Sequence, residues 1–89
     1  MNKTKNPNYP SKNILDSLLK NYKNKEFNYV ESQAILITKD YPNYSFGWKI
    51  LGSVLKLNGK INESLAATLK SVELSPNDFE VHYNLANIY

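Results

Sequence analysis

The single histidine of this sequence, His82, has Asp78 and Glu80 as its nearest acids. With no cysteine anywhere in the chain, that trio makes neither a zinc site nor an oriented general base. Ser45, Ser53, Ser64 and Ser71 lie in no nucleophile-elbow context. Gly47, Gly52 and Gly59 form no phosphate-cradling loop; Gly59 reads as turn chemistry and Gly52 as close packing. What remains are groups that bind rather than react. Lys49 and Lys56 share one helical face and suit a carboxylate or an acidic peptide. Tyr9, Tyr22, Tyr29, Tyr41 and Tyr44 with nearby lysines suggest base stacking, but they fall on different faces and loops. The expectation is a protein that is not an enzyme, with no cofactor and no metal.

Bulk composition narrows the partners. The formal net charge of the 89 residues is +3, and the excess is N-terminal: residues 1–25 hold six lysines against Asp16 alone. A nucleic-acid binder needs a denser basic patch, and the chain has no arginine for bidentate phosphate or guanine contacts. No apolar run reaches signal-peptide or membrane-span length. No nucleic acid, no membrane and a cytoplasmic location are the defaults.

The elements that must position these residues are helical. Residues 1–10 are polar, contain two prolines, and read as a disordered or loosely docked tail. Ser11 reads as an N-cap, followed by Ile14, Leu15, Leu18, Leu19 and Tyr22 at helical period. A second stripe carries Phe27, Val30, Ala34, Ile35 and Ile37 and ends before Pro42. Phe46, Trp48, Ile50, Leu51, Val54, Leu55 and Leu57 mark a third helix, closed by Asn58-Gly59. Ile61, Leu65, Ala66, Leu69, Val72 and Leu74 mark a fourth, and a fifth begins near Asp78. No segment alternates at period two, so the expectation is an all-α chain of about five helices joined as antiparallel hairpins.

The pattern repeats. Pro42-Asn43 recurs 34 residues later as Pro76-Asn77, and Leu51-Gly52 recurs as Leu85-Ala86. A period of this length implies one supersecondary unit stacked on the next. In residues 45–78, Trp48, Leu51 and Gly52, then Gly59, Leu74 and Pro76, resemble the tetratricopeptide repeat (TPR) family. Leu55, Ser64, Thr68 and Ser71 stand where that family usually has a tyrosine, an alanine, an aromatic and an alanine. Residues 11–44 are a more divergent unit, with Lys25 in the place of Gly59, and residues 79–89 match the first helix of an incomplete third. The resemblance implies a short right-handed TPR solenoid.

It also implies a function: a non-catalytic scaffold holding a peptide or protein segment in a concave groove lined by the first helix of each unit. Carried onto this chain, the groove positions are Phe46, Lys49, Ile50, Ser53, Lys56 and Leu57 in the middle unit. The last unit supplies Glu80, Tyr83, Asn84 and Asn87, and the first supplies Leu15, Leu19 and Tyr22 together with Lys12, Asp16 and Lys23. Lys49, Ser53, Lys56, Tyr83, Asn84 and Asn87 are the expected contacts. Trp48 is expected to pack rather than to stack on a ligand.

The resemblance also extends to the N-terminal arrays of bacterial proteins similar to O-linked N-acetylglucosamine transferases or carrying sulfotransferase domains. The alternative expectation is therefore a truncated, substrate-recruiting arm of such an enzyme. A first helix without its second is left partly uncovered, which makes self-association through that helix a further expectation.

Overall fold

The computed structural model describes residues 8–78. They fold as four helices: α1 (Lys12–Lys23), α2 (Phe27–Asp40), α3 (Ser45–Leu57) and α4 (Ile61–Leu74). Among the described residues there is no strand, and no helix is long and apolar enough to cross a membrane. The fifth helix expected over 79–89 lies outside the described residues. The expected tail overlaps them at Asn8, Tyr9 and Pro10. Asn8 and Tyr9 are exposed, whereas Pro10 is fully buried.

Each helix packs on its neighbours in the chain: α1 on α2, α2 on α3, α3 on α4. Local chemistry sets the boundaries. The Ser11 hydroxyl accepts from the Ile14 amide at 3.3 Å and caps α1. Both hairpin turns close by one motif. Asn24 and Asn58 are the C-caps, and the next residues, Lys25 and Gly59, adopt φ 63° and φ 80°. In the first turn the Lys25 amide donates to Tyr22 O and the Glu26 amide to Asn21 O, both at 3.0 Å. In the second, the Gly59 amide donates to Lys56 O at 3.0 Å and the Lys60 amide to Leu55 O at 2.9 Å. These paired bonds to the last turn of a helix are a Schellman closure.

The agreement continues through the second helices. α4 repeats α2 at an offset of 34 residues at both ends. Tyr41 and Ser75 end them with matching bonds back to Ile37 O and Ser71 O, at 2.8 and 2.9 Å. The backbone therefore repeats every 34 residues as a two-helix unit.

The two units solve their packing differently. Leu18, Val30, Ala34 and Ile37 are buried in the first, and the equivalent Gly52, Ser64, Thr68 and Ser71 in the second. The first interface buries apolar side chains, with a leucine filling the gap, and Gln33 of α2 bonds Asn21 and Ser17 of α1 at its edge. The second is a close approach: a Cβ on Gly52 would lie 2.4 Å from Thr68 Oγ1 and 3.3 Å from the Thr68 amide nitrogen. Its buried hydroxyls then reach the α3 backbone. Ser64 Oγ donates to Gly52 O at 2.7 Å and Ser71 Oγ to Ser45 O at 3.1 Å. Leu51, Val54 and Leu55 of α3 complete a continuous core with Leu18, Val30, Ala34, Ile37 and Ala67.

Candidate functional site

The first helices of the two units, α1 and α3, meet through side chains. Tyr22 OH and Ser53 Oγ are 2.7 Å apart. The Tyr22 ring is held edge-on against Phe27, centroids 5.6 Å apart. Next to this bridge opens a pocket of ≈ 160 Å³, lined by Tyr22, Ser53, Lys56 and Leu57 and by Gly52, Ser64 and Thr68 of the α3–α4 interface. Leu57, like Leu19 one turn before Tyr22, is an exposed large apolar side chain.

Three of the expected contacts can be placed. Ser53 and Lys56 share this pocket. Lys49 does not join them as a free cation. Its ammonium pairs with Asp78 at 3.1 Å, lies 5.9 Å from the centroid of the Phe46 ring, and the side chain is only 17% exposed. Lys56 forms no ion pair among the described residues. Tyr83, Asn84 and Asn87 lie outside the described residues, as do Glu80 and His82.

Thr68 is the contributor that sequence reading passed over as a substitute for an aromatic. It is 4% exposed and lines the pocket, and its hydroxyl makes no hydrogen bond among the described residues. Buried hydroxyls are normally satisfied, as those of Ser64 and Ser71 are here. No sequence signal marks this one; it follows from how closely Gly52 brings the two helices together.

The two units are also tied by charge. Glu31 of α2 accepts from Lys60 Nζ at 2.6 Å and from Asn58 Nδ2 at 2.8 Å, joining the first unit to the second unit's turn. The Lys60 hydrogen bond, seconded by Asn58, holds the Glu31 carboxyl below its ordinary 4.5. Trp48 is half-buried against the core, and its Nε1–H donates to Pro42 O at 2.8 Å, so its role is packing and loop closure. Among the described residues no group of three or more histidines and acids could hold a metal.

A second hollow, ≈ 310 Å³, lies between α1 and α2 and is lined mainly by Ile14, Tyr29, Leu36 and Tyr41. Among the described residues no lysine lines it. No protein-family model matches the chain, and no curated protein matches it.

Proposed function

We propose that this chain is a non-catalytic interaction scaffold of the tetratricopeptide type, which holds a peptide or protein segment along the face shared by α1 and α3. The observation that carries this reading is the 34-residue repetition of backbone closure, boundaries and buried positions in two successive hairpins. Units that repeat at this period stack on one another; in the tetratricopeptide family that they resemble, the stack is a right-handed solenoid whose first helices line its concave side. On that face the chain presents mixed chemistry suited to a segment: exposed Leu19 and Leu57, hydroxyls at Tyr22 and Ser53, and the Lys56 ammonium. Lys49, paired with Asp78, orders the end of the second unit and contributes less to a ligand.

Selection of binders from a random peptide library on the purified chain tests this. Selected peptides are expected to lose affinity for Leu19→Ser and Leu57→Ser and to keep it for Leu36→Ser, since all three leucines are exposed and their loss leaves the core intact. Peptides that depend on Leu36 and ignore Leu19 and Leu57 would place the interaction elsewhere.

A further inference from the structure

We infer that the pocket between Tyr22, Lys56 and Thr68 is an anchoring site for a carboxylate borne by an acidic side chain of the bound segment. The inference rests on the scaffold reading above and names the chemistry its ligand must carry. Three observations converge on it. First, Lys56 brings a positive charge to the pocket with no acid paired to it among the described residues, whereas Lys49 and Lys60 are both neutralised by a partner. Second, the walls offer hydroxyls. Tyr22 and Ser53 share one hydrogen bond between them, which leaves one of the two with a proton to give outward. Third, Thr68 lines the pocket, is buried, and its hydroxyl has no partner among the described residues. A lone buried hydroxyl costs stability unless something bonds to it, and an entering acceptor would satisfy it.

Size agrees with this occupant. At about 30 Å³ of liquid per water, ≈ 160 Å³ holds a few waters or one short acidic side chain. A carboxylate presents two oxygens with several acceptor positions, so it can meet an ammonium and hydroxyls together. A cation has no counterpart, because no carboxylate among the described residues lines the pocket.

The test is a titration of the full chain, followed by backbone amide resonances, with three probes: a blocked glutamate-bearing peptide, its glutamine twin, and sodium acetate. The glutamate peptide is expected to shift Ser53, Lys56 and Thr68. It should bind about tenfold tighter than the glutamine twin, the scale of one charge-assisted hydrogen bond. Lys56→Gln and Thr68→Val should each weaken it severalfold while the remaining amide spectrum stays native. If both peptides bind alike, or if both variants bind the glutamate peptide as the parent does, the anchoring site is wrong while the scaffold reading stands. If acetate occupies the pocket as tightly as the peptide, the site serves a free small carboxylate and the assignment to a bound segment falls. If no probe moves these amides, the pocket holds no anion. The scaffold reading is judged separately, by the dependence of selected peptides on Leu19 and Leu57.

Discussion

Lys25 and Gly59 turn the chain through the same left-handed backbone region, at φ 63° and φ 80°, and close the same pair of hydrogen bonds behind them. One is glycine, for which that region carries no steric penalty; the other is a lysine, for which it does. The lysine is held there by the two bonds it shares with its neighbour, and by the geometry the unit requires.

Lys25→Gly is therefore expected to stabilise the chain by about 1 kcal/mol, the ordinary cost of a left-handed non-glycine residue. For a domain of this size that is a rise in melting temperature of roughly 4–8 °C. Gly59→Ala should lose a similar amount. Nothing lies within 4 Å of an added Cβ there, so the loss is conformational alone. Thermal unfolding by circular dichroism reads both, and equal melting temperatures for Lys25→Gly and the parent would show that the lysine is unstrained.

Leu18 and Gly52 occupy equivalent places in the two units with opposite demands on volume. Leu18 is fully buried, so Leu18→Ala is expected to cost about 2–5 kcal/mol by leaving a cavity. Gly52→Ala places a methyl against the Thr68 backbone as well as its hydroxyl, so α3 and α4 must part, at about 1–3 kcal/mol. Urea unfolding measures both. A Gly52→Ala variant as stable as the parent would contradict the close approach.

The Glu31 clamp gives the chain an acid limb. Its Lys60 and Asn58 hydrogen bonds depress the folded carboxyl below the ordinary 4.5. Its contribution is thus complete above that value and is lost as pH falls through the lower folded pKa. The Lys60 side takes the opposite sign: hydrogen bonding to Glu31 raises its pKa above 10.5, so its share holds below that value and disappears as pH rises through the higher folded one. Between the two the clamp is constant. Glu31→Gln should lower stability at neutral pH and flatten the fall on the acid side, whereas an unchanged acid limb would show that other carboxylates set it.

Thr68→Val carries an expectation for stability as well as for binding. The hydroxyl has no partner to lose among the described residues, so the exchange should leave stability unchanged or raise it by up to about 1 kcal/mol. A clear loss in urea unfolding would mean that the hydroxyl is already satisfied, for instance by a tightly held water.

Much of the fold is legible in the sequence because it is local. The Ser11 cap, the stripes of Leu18 and Val30, the glycine stop after Asn58 and the prolines at 42 and 76 each act within a turn or two of chain. The divergent first turn is legible only through the repeat, since nothing in Lys25 itself announces a positive φ. The candidate site is less legible. The Lys49–Asp78 pair joins residues 29 apart, and the Tyr22–Ser53 contact joins residues 31 apart. Both depend on how the helices dock. The orphan hydroxyl of Thr68 depends on a separation between α3 and α4 that is decided by a missing Cβ at Gly52. Pro10 is buried, which composition does not announce, because composition reports polarity and not what a single ring can pack against.

The most direct measurement is to map where a selected peptide perturbs the backbone amides of the full chain. The account predicts a contiguous set on α1 and α3 around Leu19, Tyr22, Ser53, Lys56 and Leu57. Perturbations centred on Tyr29, Ile35 and Leu36 of α2 would contradict it.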